Sequence, residues 1–273
     1  MIRSICLDLD GTLLDNNSLV SIDTKNYLIE LLDNGIDVTI VTGRPYFYVK
    51  YLVNELDPRI DFIASNGAVY TSHQEVIEHA FDRETLSTIV NFVKERPIMG
   101  FFKTLDTVYS KKDYLDLGPL YLNDVHKDLF KDLKRVIDNN YEGIFDESIT
   151  TIFLGTYHQA QYEQVIAHLK QIETIDYAHT GDYMIDIIPK GINKGQAVKE
   201  MMAKKKIDLE HVMAFGDSDN DLEMLEVVGH PVVMKNGSTR ALAMSDAHTE
   251  HTNDEEGVLK YLKKHSSLFN EKD

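Results

Sequence analysis

The sequence has little of what secreted and membrane-spanning proteins contain. Its 273 residues include one cysteine, Cys6, so no internal disulfide bond can form, and this favours a reducing compartment. The first residues lack the apolar run of about 7 to 15 residues that a secretory signal requires. No segment approaches the roughly 20 apolar residues that cross a bilayer as a helix. We therefore expect a cytoplasmic protein without a membrane partner.

Positive charge is also scarce. The 28 lysines and arginines are outnumbered by 45 aspartates and glutamates, which gives a formal net charge of −17 at pH 7. Nucleic acids and anionic membranes bind to basic faces, so we expect neither as a partner. A small anionic ligand is still compatible with this charge if a cation takes part in binding it.

Short apolar segments alternate with amphipathic segments at both ends of the chain. In the first part this pattern predicts strands at 2–9, 36–41 and 60–64 and helices at 22–34 and 46–56. After residue 189 the alternation resumes, with a helix expected at 194–204, a strand at 212–215, a helix at 222–227 and a strand at 232–234. Strands that alternate with helices are typical of a parallel sheet covered on both faces. We expect a Rossmann-like α/β core.

The regular alternation is interrupted in the middle of the chain. After a hairpin at 68–81, the pattern predicts a helix that Asp82 caps, with apolar positions at Leu86, Ile89, Val90 and Val93, and a second helix at 159–172. It also predicts strands at 98–102, 107–109, 149–154 and 183–188, with ambiguous helical patches at 117–122 and 129–137. This mixture indicates an α+β domain. We expect it to occupy residues 82–189, inserted into a core formed by residues 1–81 and 190–273.

Two aspartates lie two residues apart at the end of the first expected strand. In the segment 8–12 (DLDGT), Asp8 and Asp10 point to the same side because strand side chains alternate. Two like charges so placed need a cation, or one of them must bind a proton. Mg²⁺ prefers such hard oxygen ligands. The alternative is an acidic pair that only ends a strand and caps the next turn.

A second acidic segment follows the strand at 212–215. The segment 216–221 (GDSDND) holds three aspartates and an asparagine on one loop, a density that is typical of metal sites. A calcium loop would need more ligands and a distal glutamate. Simple helix capping by Asp219 is another alternative, but neither explains the acidic pair at Asp8 and Asp10.

Two further segments offer groups that bind phosphate. Thr42 and Gly43 end the second strand and present a hydroxyl and an approachable backbone amide. The alternative for them is an ordinary helix entry before Pro45, and Arg44 either contacts phosphate or lies outside the site. Lys194 begins a helix, where its ammonium would offset charge on a phosphoryl group. A solvated lysine is the alternative there.

Taken together, these segments resemble the haloacid dehalogenase superfamily, and more narrowly its Cof-type phosphatases with a large inserted cap of type IIB. Segment 8–12 matches the first motif, 41–44 (VTGR) the second, Lys194 the third and 216–221 the fourth. Residues 65–68 (SNGA) add to the likeness. Because the motifs occur in the family's order and spread over nearly the whole chain, the resemblance is specific.

The resemblance implies a role for each matching residue. It makes Asp8 the nucleophile and Asp10 the general acid and base, with Lys194 beside them. It implies that Mg²⁺ is held by Asp8, Asp10 (through its backbone carbonyl) and Asp217. It implies that phosphate is bound by Leu9 (through its backbone), Thr42, Gly43, Lys194 and Asn220. Asp221 and Arg44 would support the site by contacting its residues instead of the ligand.

The function that the resemblance implies is hydrolysis of a small soluble phosphomonoester, such as a sugar phosphate, a nucleotide or a cofactor phosphate. The reaction would pass through an aspartyl phosphate on Asp8, and the domain at 82–189 would be the cap that selects the substrate. A phosphomutase of the same superfamily would share every motif. A catalytically silent binding module would be expected to lack Asp8 or Asp10, and a P-type ion pump would need transmembrane segments. The sequence does not indicate an oligomeric state.

Overall fold

The computed structural model describes residues 1–72, 75–111, 134–181 and 183–269. The chain divides into two units, one formed by Met1–Ile77 with Asn193–Asp273 and the other by Glu78–Ile192. The domain boundaries expected at 82 and 189 differ from this division by four and three residues. Among the described residues, no helix has both the length and the apolar character that are needed to cross a bilayer.

The first part of the chain follows the predicted alternation of strands and helices. Its elements are β1 (Ser4–Leu7), α1 (Ile22–Asp33), β2 (Asp37–Val41), α2 (Tyr46–Leu56), β3 (Asp61–Ala64), β4 (Val69–Ser72) and β5 (Glu75–Glu78). Helix α1 begins at Ser21, whose side chain accepts a hydrogen bond from the amide of Thr24. Gly35, with a φ of 79°, lets the chain turn back into β2.

The inserted unit contains strands and helices in irregular order. Its elements are α3 (Arg83–Lys94), β6 (Met99–Lys103), β7 (Thr107–Ser110), β8 (Lys134–Ile137), β9 (Thr151–Gly155), α4 (Gln159–Leu169), β10 (Ile175–Gly181) and β11 (Met184–Pro189). The helical patch expected at 129–137 is wrong for Lys134–Ile137, which is a strand paired with β7. The patch expected at 117–122 lies outside the described residues.

The last part of the chain returns to the core. Its elements are α5 (Lys194–Lys205), β12 (Val212–Gly216), α6 (Leu222–Val227), β13 (His230–Val233), α7 (Thr239–Leu242) and α8 (Gly257–Lys264). The side chain of Asn193 accepts a hydrogen bond from the amide of Gln196, so α5 begins at Lys194. The sequence pattern did not predict β10, α7 or α8.

The core sheet has seven strands in the order β13-β12-β1-β2-β3-β4-β5. The strands from β13 to β3 are parallel, and β4 runs antiparallel to β3. Leu7 pairs with Phe215 of β12 and with Ile40 of β2, so these three neighbouring strands end at the same level. This confirms the Rossmann-like core. The loops after β1, β2 and β12 therefore meet at one edge, where open α/β sheets bind ligands.

The sheet of the inserted unit has six strands in the order β10-β11-β9-β6-β7-β8. All of its described pairings are antiparallel except β7 with β8. Its core combines one face of the sheet, including Phe102 and Ile152, with Ile89 of α3 and Val165 of α4. This arrangement of helices on a mostly antiparallel sheet confirms the α+β class that the sequence predicts for the insertion.

Candidate active site

A buried ion pair lies at the carboxyl edge of the core sheet. The Nζ atom of Lys194, at the start of α5, lies 2.6 Å from Oδ1 of Asp8 and 2.6 Å from Oδ1 of Asp221. The exposed fractions of Lys194, Asp8 and Asp221 are 1%, 3% and 0%. Burial by itself would lower the pKa of Lys194, but the two carboxylates outweigh burial and the pKa is raised. The two carboxylates therefore favour the charged form of Lys194.

The surroundings of Asp8 disfavour the charged form of its carboxyl group. Its pKa is raised well above the usual range, first by burial and then by the neighbouring charge of Asp221, while Lys194 opposes the shift. A second positive charge beside Asp8 would oppose this upward shift of its pKa. Negative charge that lacks compensation around Asp8 favours the binding of a cation.

Asp217 supplies the third carboxylate. Oxygen atoms of Asp8, Asp217 and Asp221 lie within 4.8 Å of one another. Oδ1 of Asp217 accepts a hydrogen bond from the hydroxyl of Thr12 at 2.9 Å, and burial raises the pKa of Asp217 to about 6. Three carboxylates around one ammonium leave two negative charges uncompensated when all three are ionised, which fits a divalent cation.

Asp221 shapes the loop that carries Asp217. Its Oδ2 accepts hydrogen bonds from the amides of Asp217 at 3.0 Å and Ser218 at 2.9 Å, while its Oδ1 accepts from Lys194. A Cβ at Gly216 would lie 2.6 Å from Cβ of Asp221, so only glycine fits there. With both oxygens of Asp221 occupied, the side chains of Asp8 and Asp217 offer the oxygens for a metal ion.

The loop after Asp8 is adapted to the same cluster. Gly11 has a φ of 82°, and a Cβ on it would lie 2.5 Å from Oδ2 of Asp217. The carbonyl of Leu9 accepts hydrogen bonds from the amides of Thr12 at 3.3 Å and Leu14 at 2.9 Å, which folds the segment into a tight turn. Thr12, which binds Asp217 through its hydroxyl, belongs to the first motif, but the sequence assigned it no role.

Asp10 lies apart from the carboxylate cluster. Its two oxygens accept hydrogen bonds from Nε and Nη2 of Arg44, at 2.7 Å and 2.5 Å. The guanidinium also lies over the ring of Tyr48, 4.2 Å from its centroid. The side chain of Asp10 is 55% exposed and that of Arg44 is 21% exposed. Both residues were expected in the site, but the ion pair between them was not predicted.

The residues expected to bind phosphate meet at the ends of β2 and β12. Thr42 is buried, and its hydroxyl accepts a hydrogen bond from the amide of Arg44 at 3.2 Å. Nδ2 of Asn220 donates to Oδ1 of Asn66 at 3.3 Å. A Cβ at Gly43 would lie 2.9 Å from the same Asn66 oxygen, so a larger residue there would displace the Asn66 side chain. The structure therefore adds Asn66 to the site, and its signal in the sequence was a polar turn at the end of the third strand.

Comparisons with known proteins cover nearly the whole chain. A family model described as haloacid dehalogenase-like hydrolase matches residues 5–262. The 5-amino-6-(5-phospho-D-ribitylamino)uracil phosphatase YwtE of Bacillus subtilis (strain 168) is 30% identical, over 95% of this chain and 96% of the relative. A second phosphatase of the same name from that organism, YitU, is 29% identical, over 97% of each chain. A solved haloacid dehalogenase-like hydrolase from B. subtilis has the same fold, with a TM-score of 0.81 at 24% identity over 97% of this chain and 99% of the other.

Proposed function

The chain belongs to the haloacid dehalogenase-like hydrolase family, and from this premise we propose that it is a Mg²⁺-dependent phosphatase that forms an aspartyl phosphate on Asp8. The observation that carries the proposal is the buried contact of Lys194 with Asp8 and Asp221, with Asp217 alongside. Buried charges are costly unless they are paired, so a site with three carboxylates and one ammonium is suited to a cation and a phosphate together.

The side chains of Asp8 and Asp217, with the backbone carbonyl of Asp10, would hold Mg²⁺. This hard oxygen donor set leaves coordination positions for water and for a substrate oxygen. When bound, Mg²⁺ would offset negative charge on the phosphoryl oxygens and favour the ionised form of Asp8. Asp221 would support these metal ligands without binding the metal, because it orients the Asp217 loop and Lys194.

In the first step, a carboxylate oxygen of Asp8 attacks phosphorus while the bond to the leaving oxygen breaks in line with it. Lys194 lies beside this carboxylate and would bind an equatorial oxygen of the phosphoryl group. The hydroxyl of Thr42, the amides at Leu9 and Gly43, and Asn220 would bind the remaining oxygens. Positioning and charge stabilisation of this kind account for most of the catalysis of phosphoryl transfer.

Asp10 would manage the protons of both steps. In the first step its protonated carboxyl gives a proton to the departing alkoxide. In the second step the resulting carboxylate takes a proton from the water that attacks the aspartyl phosphate, which releases inorganic phosphate and restores Asp8. The proton that Asp10 loses in one step thus returns to it in the other.

We propose a small phosphomonoester as the substrate. Two relatives are named as phosphatases of 5-amino-6-(5-phospho-D-ribitylamino)uracil, a phosphate ester of a polyol chain. We propose the same broad class here, including sugar phosphates, nucleotides and cofactor phosphates, with residues 78–192 as the cap that selects among them.

The test is release of phosphate from an aryl phosphate, with Mg²⁺ and then with EDTA. We expect turnover that requires the metal and that Asp8→Asn abolishes, because the amide cannot act as the nucleophile. Asp219→Asn is the matched control, since this exposed aspartate of the same loop pairs with Arg240 and Ser238. Full activity of Asp8→Asn would overturn the mechanism. A panel that includes the ribitylaminouracil phosphate and hexose phosphates would then rank the natural substrates.

A further inference from the structure

The general acid and base of the proposed reaction is held by an arginine. Both oxygens of Asp10 are occupied by the guanidinium of Arg44, at 2.7 Å and 2.5 Å. The carboxylate of Asp10 does not belong to the group of oxygens that Asp8, Asp217 and Asp221 bring within 4.8 Å of one another. In this arrangement, each oxygen of Asp10 accepts a short charge-assisted hydrogen bond, which orients the carboxylate toward Arg44.

Arg44 lies beside the proposed phosphate-binding residues and is anchored there by its backbone and by a ring contact. Its guanidinium lies 4.2 Å from the ring centroid of Tyr48 in α2. Its amide donates to the hydroxyl of Thr42, one of the proposed phosphate ligands, at 3.2 Å. The guanidinium is therefore attached through its own backbone to the phosphate-binding loop.

The geometry of a guanidinium suits a phosphate as well as a carboxylate. Its parallel N–H groups bind either anion through two hydrogen bonds. A phosphate that approaches Asp8 and Thr42 carries up to two negative charges, whereas the carboxylate of Asp10 carries one. The two anions therefore compete for the same donors.

We propose that Arg44 exchanges partners during the reaction: it holds Asp10 in the free protein, binds the substrate's phosphate when this arrives, and thereby releases Asp10 toward the leaving oxygen. This inference rests on the proposed phosphatase function. It makes Arg44 a phosphate ligand and the residue that positions Asp10. As a consequence, Asp10 is released only when a phosphate occupies the site, and it then takes up, from solvent or from the monoanionic phosphate ester, the proton that it gives to the leaving oxygen.

The test is a double-mutant cycle on binding of inorganic phosphate, measured by calorimetry with Mg²⁺ present. The four proteins are the unaltered chain, Asp10→Ala, Arg44→Ala and the double variant. We expect Arg44→Ala to weaken phosphate binding by about ten-fold, since one bidentate contact is lost. We expect Asp10→Ala to tighten binding by roughly three- to ten-fold, because Arg44 no longer has a competing partner.

The decisive comparison is the effect of Asp10→Ala in the two backgrounds. Removal of any negative charge near the site would favour phosphate, and that general effect would persist without Arg44. Competition for Arg44 predicts instead that Asp10→Ala no longer increases phosphate affinity when Arg44 is alanine. An equal gain in both backgrounds overturns the inference.

Two further measurements complete the test. A crystal structure with Mg²⁺ and orthovanadate should show Arg44 on the vanadate and Asp10 separated from it, and an intact ion pair in that complex would overturn the exchange. Arg44→Lys keeps the positive charge but not the two parallel N–H groups, so its phosphate affinity should lie between those of the unaltered chain and Arg44→Ala.

If the unaltered chain turns over aryl phosphate but Asp10→Ala increases phosphate affinity equally in both backgrounds, only the exchange fails. If turnover is absent or survives Asp8→Asn, the proposed function fails.

Discussion

The Nζ atom of Lys194 lies 2.6 Å from Oδ1 of Asp8, and both side chains are almost fully buried. Lys194→Met would leave the carboxylates of Asp8 and Asp221 buried without their cation. We expect a loss of about 3–5 kcal/mol of folding free energy and a fall in kcat of at least about 10²-fold. Denaturant unfolding and the aryl phosphate assay measure the two effects. Lys199→Met, at an exposed position of the same helix, should change neither, and a variant of Lys194 with normal kcat would contradict the assigned role.

The raised pKa of Asp217, about 6, predicts a pH dependence of stability in the metal-free protein. Because the folded pKa lies above the unfolded value of 3.8, the folded state binds the proton more tightly. The contribution of Asp217 is therefore fully present below pH 3.8 and is lost as the pH rises through about 6. We expect roughly 1–2 kcal/mol, after allowance for partial exposure.

Urea unfolding in EDTA between pH 4 and pH 7 measures this effect. Asp217→Asn should flatten the pH dependence relative to the unaltered chain. Addition of Mg²⁺ should restore stability to the unaltered chain above pH 6, since the metal takes the place of the proton. The same pH profile in both proteins would show that Asp217 does not titrate in this range.

Gly11 and Gly35 form a matched pair for testing the metal site. Both have positive φ values, 82° and 79°, so alanine at either position strains the backbone by about 1–2 kcal/mol. A Cβ at Gly11 would also meet Asp217 at 2.5 Å, whereas nothing lies within 4 Å of a Cβ at Gly35. We expect both variants to lose stability, but only Gly11→Ala to need more Mg²⁺, by at least about ten-fold.

The measurement is the Mg²⁺ concentration that gives half-maximal phosphatase activity, together with denaturant unfolding of each variant. An equal metal requirement in Gly11→Ala and Gly35→Ala would mean that the loop moves without disturbing Asp217. The close approach of Gly11 to Asp217 would then have no functional consequence.

We expect His168 to make the stability of the inserted unit sensitive to acid. Its ring stacks on that of Phe92, with centroids 3.9 Å apart, and its Nε2 is buried without a hydrogen-bond partner among the described residues. Burial lowers the pKa of His168, and the nearby charge of Arg96 lowers it further. Since the unfolded state binds the proton more readily, the stabilising contribution is present above the ordinary pKa of about 6.5 and is lost as the pH falls below it.

His168→Phe keeps the stacked ring and removes the titrating group. We expect it to reduce the loss of stability between pH 7 and pH 5 by about 0.5–1 kcal/mol, as followed by denaturant unfolding. Gln164→Phe, at an exposed position of the same helix, introduces the same side chain without removing a titrating group; it is the control and should not reduce that loss. An unchanged acid sensitivity in His168→Phe would assign it to other groups.

Local patterns of the sequence determined much of the core. The strands that end at Leu7, Val41 and Gly216 are apolar and rich in β-branched or aromatic residues, and each is followed by small and polar residues. Periodicity and turn residues are local properties, so they are readable without knowledge of the rest of the chain. The same holds for the motifs, whose residues lie close together in sequence.

Edge strands were less predictable. Lys134–Ile137 is a strand because it pairs with β7 across a long separation, while its exposed lysine and arginine give no alternating pattern. Ile175–Gly181 likewise depends on pairing with β11. For the two strands, pairing partners and not intrinsic preference decided the structure.

Helix α8 was also not predicted, although it has an apolar face. It begins at Gly257 after Glu256, whose φ of 59° is not predictable from the neighbouring sequence.

The sequence by itself determined which residue types stand at the carboxyl ends of the core strands, and hence the class of chemistry that the site supports. Only the tertiary structure decided which of them meet. It brings Lys194 against Asp8, a separation of 186 residues, and it pairs Asp10 with Arg44 instead of placing it in the carboxylate cluster. The physical reason is that the register of parallel strands sets these distances, and register depends on contacts between segments that are remote in sequence.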